Sequence, residues 1–366
     1  MTNKEYKIVV FFSGGINSFY QIEQWQKPFE KLSEINKILY LITDKEVYKK
    51  YKRNKYHKNI KAKHIETFTN IIEFYQKNEI AVTLYINNSL RNFQALRYSR
   101  GYHVHLNHGE SEKESMRSNQ SQAYDYIFTV GQRAVNRYKE FLLNFDSKKY
   151  IQVGRPQLDF IEKLKINKNK EKVILYAPTW EATHSSMNYT SVHKYGVGLV
   201  NKILQNDKYI LIYKPHSAIG TRDKKARKAN KKIIKLIKNS RNAYYMKKEN
   251  INDVFTLVDF SFFDNTSVMI DYLKCNKPAA YLEVIEDQSI NLLTKVFSTI
   301  NSSNYSKVEK ILKDELVIDS KKSMRKEVKE FYLGKYKNSE STKLFISEIS
   351  KLIKKRENKI DKIKKG

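Results

Sequence analysis

The chain has 366 residues, more than one hydrophobic core comfortably organises, so two domains of ordinary size are expected. Hydrophobic residues make up 40% and aromatics 13%, which excludes a disordered chain, while the lone Cys275 excludes an internal disulfide and a cysteine-built zinc site. Lys and Arg number 69 against 39 acidic residues, a formal +30 that attracts polyanions without choosing among nucleic acid, an anionic membrane and a phosphate-bearing substrate.

Short β-like runs alternate with amphipathic stretches from the start of the chain. Ile8 to Phe12, Ile38 to Ile42, Ala81 to Ile86, Gly101 to Leu106, Tyr126 to Val130 and Tyr150 to Val153 read as strands, rich in Val, Ile, Phe and Tyr. Gln21 to Leu32 and Ile65 to Gln76 show helical spacing of apolar residues between them. A Lys-rich polar segment, Lys163 to Lys172, interrupts the alternation, which then restarts. Val173 to Tyr176, Tyr209 to Tyr213, Ala243 to Tyr245, Phe260 to Phe263 and Ala279 to Leu282 are the next strands, with helices at Val197 to Gln205, Arg227 to Lys238 and Ser267 to Leu273.

Strands alternating with helices predict parallel sheets built from right-handed crossovers. Two such runs predict an α/β chain of two doubly wound Rossmann-type domains facing a central cleft, divided as 1–165 and 166–320. A helical, basic tail over 321–366 follows. Its last stretch, Ile349 to Gly366, has a loose apolar stripe among lysines, which suits an anionic membrane surface or a solvated helix. No apolar run approaches the ~20 residues of a bilayer span. The N-terminal run Ile8 to Phe12 is too short for a signal peptide, so a cytoplasmic chain is expected.

Four motifs stand just after predicted strands, where such sheets receive ligands. His108-Gly109-Glu110-Ser111-Glu112-Lys113 offers a loop histidine that titrates near neutrality, with Glu110 or Glu112 to orient its ring. Tyr176-Ala177-Pro178-Thr179-Trp180 ends a strand in a rigid turn, placing Pro178, Thr179 and Trp180 to border a base or sugar. Lys214-Pro215-His216 sets a cation and a second histidine at a strand end. Asp264-Asn265-Thr266-Ser267 precedes a helix, where hydroxyls and N-terminal amides hold phosphate. A Ser/Thr pair before a helix is also an ordinary N-cap, so each motif alone says little. Order and spacing carry the weight.

Together they resemble the CDP-glycerol glycerophosphotransferase family, the teichoic acid polymerases and primases and their capsule-synthesising relatives. The resemblance runs through His108 to Lys113, Gly154-Arg155-Pro156-Gln157-Leu158-Asp159, Tyr176 to Trp180, Lys214 to His216 and Asp264 to Ser267. It continues through Asp271 and Lys277-Pro278, covering about Gly101 to Glu283. Departures occur as well. Arg155 precedes Pro156 where the family has an Arg after the proline, Glu181 stands where an Arg commonly follows the Trp, and Asn265 and Thr266 replace an aromatic and a Ser.

The resemblance implies a GT-B-like fold and transfer of glycerol phosphate, or a related alditol phosphate, from a CDP-activated donor to a hydroxyl of a teichoic-acid-like or capsular polymer, or to its lipid-linked primer. CMP leaves. It implies His108 as the base that activates the acceptor hydroxyl. The charge on the pyrophosphate points to Lys214, His216, Thr266 and Ser267 as its cradle, with Arg155, Asp264 and Asp271 as further donor contacts. No cofactor is required, and soluble Mg2+ is the one ion such phosphate chemistry leaves room for. A peripheral location on the inner face of the cell membrane is expected.

Three other patterns compete. Phe12-Ser13-Gly14-Gly15-Ile16-Asn17-Ser18 resembles the pyrophosphate loop of ATP pyrophosphatases, with Asn17 in place of its Asp, and reads better as a strand-to-helix turn. His103, His105 and His108 suggest a zinc set, although no metal is expected for this chemistry. The basic stretch Arg222 to Lys248 raises nucleic acid, but no nucleic-acid-binding motif accompanies it. The alternative functions are a GT-B glycosyltransferase using a nucleotide sugar and a non-catalytic protein that binds polyanions or membranes.

Overall fold

The computed structural model describes residues 6–54, 59–181, 188–286, 290–337 and 339–365. The chain forms two compact units, one made of Met1–Phe160 with Tyr332–Gly366 and the other of Ile161–Phe331. The expected GT-B-like class of two Rossmann-type units is what the chain has.

The first unit holds a seven-stranded sheet in the order β3-β2-β1-β4-β5-β6-β7, every pair parallel. Its strands are β1 (Ile8–Phe12), β2 (Ile38–Ile42), β3 (Lys61–His64), β4 (Val82–Tyr85), β5 (Tyr102–His105), β6 (Tyr126–Thr129) and β7 (Tyr150–Gln152). In β1 and β2 every residue is buried, the unbroken apolar run that a sheet covered on both faces demands. The edge strand β3, Lys-Ala-Lys-His, has no apolar run and was not expected; its lysines suit an edge that must not pair further. Helices α1 (Phe19–Ser33), α2 (Lys45–Arg53), α3 (Phe68–Asn78) and α4 (Gln132–Phe141) connect these strands.

The second unit repeats the scheme with six parallel strands, β10-β9-β8-β11-β12-β13. These are β8 (Lys172–Ala177), β9 (Tyr209–Tyr213), β10 (Ala243–Tyr245), β11 (Phe260–Phe263), β12 (Ala279–Leu282) and β13 (Ser298–Ile300). Its helices include α5 (Val197–Leu204), entered through a π-helical turn at Val192–Gly196, α6 (Lys224–Lys238), α7 (Ile251–Val254) and α8 (Ser267–Tyr272). After them come α9 (Asn291–Val296), α10 (Val308–Val317) and α11 (Lys322–Leu333).

The segment expected as a separate basic tail over 321–366 is instead divided: residues up to Phe331 belong to the second unit and Tyr332–Gly366 to the first. Helix α12 (Glu340–Lys365) buries a stripe at helical spacing, with Phe345, Ile349, Leu352 and Ile353 in the core of the first unit and Ile360 buried further along. The Phe345 ring lies 5.5 Å from Trp25 and 6.2 Å from both Phe29 and Phe128. The start of α12 is pinned by Asp159, whose carboxylate accepts from the Thr342 amide at 2.8 Å and its hydroxyl at 2.7 Å. Gly154, at φ +76°, passes so close to Ser341 that any Cβ there would clash. No helix among the described residues is long and apolar enough to cross a membrane.

Candidate active site

In a doubly wound sheet the ligand crevice opens where strand order reverses, at the carboxyl ends of the two central strands. In the second unit these are β8 and β11, and the loops that follow them carry Pro178-Thr179-Trp180 and Asp264-Asn265-Thr266. Asp264 is fully buried and its carboxylate accepts from the amides of Thr179 at 2.7 Å and Ser191 at 3.2 Å. Expected as a donor contact, Asp264 therefore ties the two loops together, a role that suits a carboxylate better than facing phosphate. Tyr176 reinforces the same corner, its hydroxyl 2.7 Å from Ser191 Oγ.

The loop after the neighbouring strand β9 joins this corner. The His216 amide donates to the Pro178 carbonyl at 3.0 Å, and its Nδ1 accepts from the Ala218 amide at 3.1 Å. An acceptor at Nδ1 puts the proton of the neutral ring on Nε2, so His216 presents an N–H donor. Trp180 stacks on this ring with centroids 5.9 Å apart and planes at 18°, and the Arg222 guanidinium lies 5.9 Å from the Trp180 centroid. Lys214 is half-buried with Nζ 3.5 Å from the Met246 carbonyl; burial lowers its pKa and Glu249 partly restores it.

Glu181, which departs from the family pattern, has a defined structural use. It is buried and accepts from the amides of Gly220 at 2.9 Å, Arg222 at 2.7 Å and Asp223 at 3.0 Å, closing the loop that follows His216. An Arg at this position would leave those three amides without that acceptor. The substitution is thus built into the loop.

Thr266 is the extended residue before α8, at φ −152°, and its side chain makes no capping hydrogen bond, so the N-cap reading of this pair fails for Thr266. Ser267 opens the helix half-buried. The helix is short, six residues continued by a 3-10 turn to Cys275. Asp271, within this helix, is 3% exposed.

The His-Gly loop belongs to the first unit, after β5. Its left-handed residue is Asn107, at φ +60°, a conformation that Asn tolerates unusually well. The Asn107 side chain accepts from the His108 amide at 2.8 Å, and its carbonyl accepts from the Trp25 indole at 2.7 Å. Tyr20, at the start of α1 just past the Gly14-Gly15 turn, meets the half-buried His108 ring edge-on at 5.9 Å. Gly14 has no room for a Cβ against Phe12 and Ser18, whereas Gly15 has open space around it and precedes the 3-10 turn Ile16–Ser18.

Glu110 and Glu112 do not orient the imidazole as expected. Both are buried and taken up by arginines of α4: Glu110 by Arg137, and Glu112 by Arg133 at 2.8 and 3.0 Å and by Arg137 at 3.5 Å. Burial pushes the Glu110 carboxyl up and Arg137 pulls it back. Burial disfavours the charge on Arg137, and the two carboxylates more than restore it. Buried charges need such partners, so this cluster fixes the course of the loop beyond His108. Sequence reasoning missed Arg133 and Arg137, whose spacing four apart on a helix was the available signal. Arg155 is buried in the same unit, lining a recess of about 310 Å³, open solvent included, with His105, Asn107, Glu110, Thr129 and Tyr138.

His103 and His105 have structural partners. His103 Nε2 lies 2.8 Å from the Tyr98 carbonyl, which requires an N–H there, leaving Nδ1 to accept from the Tyr85 hydroxyl at 2.7 Å. His105 stacks on Tyr124 at 4.8 Å, and burial lowers its pKa from 6.5 to about 4 against a hydrogen bond to the Asn87 backbone. No group of three or more His, Cys, Asp or Glu that could hold a metal occurs among the described residues.

The sign of the His105 shift sets a pH dependence. Its neutral form is favoured by folding, so its contribution is fully present above the unfolded pKa and is lost as pH falls from 6.5 toward 4. The loss is on the order of 3 kcal/mol. Urea melts across this window should show the parent losing that stability and His105→Gln losing clearly less. Equal losses would remove His105 as the cause.

Several solved structures share the fold. A UDP-N-acetylglucosamine 2-epimerase described for Listeria monocytogenes is 12% identical, with a TM-score of 0.63 over 93% of this chain and 95% of its own. The wall teichoic acid polymerase TagF, in a structure with CDPG, is 14% identical, with a TM-score of 0.62 over 96% and 89%. The UDP-GlcNAc 2-epimerase of Neisseria meningitidis, bound to UDP-GlcNAc, is 13% identical with a TM-score of 0.61 over 94% and 99%. At these identities the likeness is one of fold. No curated protein matches the chain in sequence. The sequence profile of the CDP-glycerol:poly(glycerophosphate) glycerophosphotransferases, however, matches residues 8–288, most of the chain and all of the motifs described above. The chain belongs to that family and is an enzyme, a transferase of glycerol phosphate from CDP-glycerol.

Proposed function

We propose that the enzyme adds glycerol phosphate to a hydroxyl of a teichoic-acid-like polymer or its lipid-linked primer, working as a peripheral protein at the inner face of the cell membrane. The acceptor oxygen attacks the β-phosphorus of CDP-glycerol as its proton passes to His108. The bond between that phosphorus and the bridging oxygen breaks, and CMP leaves. An alcohol is a weak nucleophile at neutral pH, so a positioned base contributes roughly 10²–10⁴-fold. The second unit holds the donor: Nε2–H of His216, the Lys214 ammonium and the hydroxyls of Thr266 and Ser267 take the pyrophosphate oxygens, and Pro178, Thr179 and Trp180 border the nucleotide. Arg155 of the first unit adds positive charge, and Asp271 takes a donor hydroxyl. No bound cofactor is needed.

The observation that carries this reading is the meeting of three loops at the strand-order reversal of the second unit. Asp264 joins the loops after β8 and β11, and the His216 amide binds the Pro178 carbonyl between the loops after β9 and β8. A donor screen with CDP-glycerol, CDP-ribitol and common nucleotide sugars, monitored for CMP release, tests it. Transfer of a bare sugar without phosphorus would overturn it.

The cradle has its own test. Replacing two hydroxyls that donate to charged oxygens, Thr266→Ala with Ser267→Ala, should raise the donor KM about tenfold or more, with kcat moving less. An unchanged KM would remove these two from the donor contacts.

A further inference from the structure

Helix α6 carries eight cations in fifteen residues and no carboxylate. Lys224, Lys228, Lys231, Lys235 and Lys238 recur at helical spacing and form one exposed stripe about 21 Å long. Lys225 and Lys232 flank it. Among the described residues none of these lysines is paired with a carboxylate. The lysine-rich composition does not account for this, because other long lysine-bearing helices mix signs: α10 includes Glu309, Asp314 and Glu315, and α12 includes Glu340, Glu348, Glu357 and Asp361. Like charges four residues apart destabilise a helix, so a stripe of one sign works against the fold unless a polyanion meets it.

The stripe starts at the donor loops. His216, Trp180 and Arg222 form a stack, and the residues closed by Glu181 lead directly from Arg222 into α6. The exposed side of α6 has no large apolar residue to insert into a bilayer, which an interfacial helix would carry. Lysines one helical turn apart, ~5 Å along the axis, are near enough to one another for successive phosphates of a flexible phosphodiester chain to reach them.

We propose that the α6 stripe is an exosite for the polyanionic glycerophosphate chain the enzyme elongates, holding phosphates behind the growing end. This rests on the transfer reading above. The test uses the full chain and two poly(glycerophosphate) acceptors, one long enough to span α6 and one of a few repeats. The variant Lys228→Gln, Lys231→Gln, Lys235→Gln, Lys238→Gln should raise KM for the long acceptor about tenfold and lower the ratio of long- to short-acceptor kcat/KM. Its salt dependence for the long polymer should flatten by about 3 in log–log slope, at about 0.7 per phosphate contact. A control with the same charge change on α12, Lys343→Gln, Lys354→Gln, Lys362→Gln, Lys364→Gln, should keep the parent's length preference.

Equal effects of the two variants, or an unaltered length preference in the α6 variant, overturn the proposal. So does loss of binding to anionic phospholipid vesicles with length preference retained, which would make α6 a membrane contact. Binding of the long polymer measured without donor separates this proposal from the transfer reading: lost binding in the α6 variant supports the exosite even if another donor proves correct, and retained binding sinks it.

Discussion

His108→Ala should lower kcat by about 10²–10⁴-fold, with binding of CDP-glycerol close to that of the parent. The structural reason for the split is that groups other than the imidazole also hold the loop. Asn107 holds the backbone through the His108 amide and the Trp25 indole, and α4 holds the carboxylates further along. Removing the ring gives up its edge contact with Tyr20 and leaves these other anchors of the loop in place. Donor affinity is expected from the second unit, which the substitution leaves intact. Rapid-quench measurement of CMP release, with a separate titration of CDP-glycerol, reads the two quantities. A variant that turns over at the parent's rate would dismiss His108 as the base.

Arg137→Met should be the most destabilising single change near the site, costing about 3–5 kcal/mol. Arg137 is 1% exposed and pairs with both Glu110 and Glu112. Its loss leaves the buried Glu110 carboxylate without its guanidinium, so the loop must shift or the carboxyl must take up a proton. Arg133 still holds Glu112, and the defect should centre on Glu110. Removing both charges with Arg137→Met and Glu110→Leu should recover much of the stability, since a buried pair replaced by apolar groups is often neutral. Thermal melts of the single and double variants decide it. A single variant as stable as the parent would show that the cluster does not hold the loop.

Much of the framework was legible in the sequence for one physical reason. Parallel strands covered on both faces must be continuously apolar, and Ile8–Phe12, Tyr209–Tyr213 and Phe260–Phe263 announce themselves that way. Strands at sheet edges lack that constraint, so Lys61–His64 and Ser298–Ile300 escaped notice. Motif order located the loops but not the partners of their charges. Glu110, Glu112 and Asp264 are acidic residues beside candidate catalytic groups, and only the fold reveals that arginines of α4 and two backbone amides claim them. The stripe of α12 was visible as a pattern. That it faces the core beneath Trp25 and Phe128 depends on contacts more than two hundred residues apart in sequence, which periodicity does not record.

The return of α12 to the first unit has a consequence for biosynthesis. The second unit is one unbroken stretch, Ile161–Phe331, and can complete its core as soon as that stretch clears the ribosome. The first unit begins earlier yet must wait with Trp25, Phe29 and Phe128 uncovered until Phe345 is made. The order of maturation is thus the reverse of the order of appearance, and a nascent chain stopped short of α12 would present that aromatic surface to chaperones.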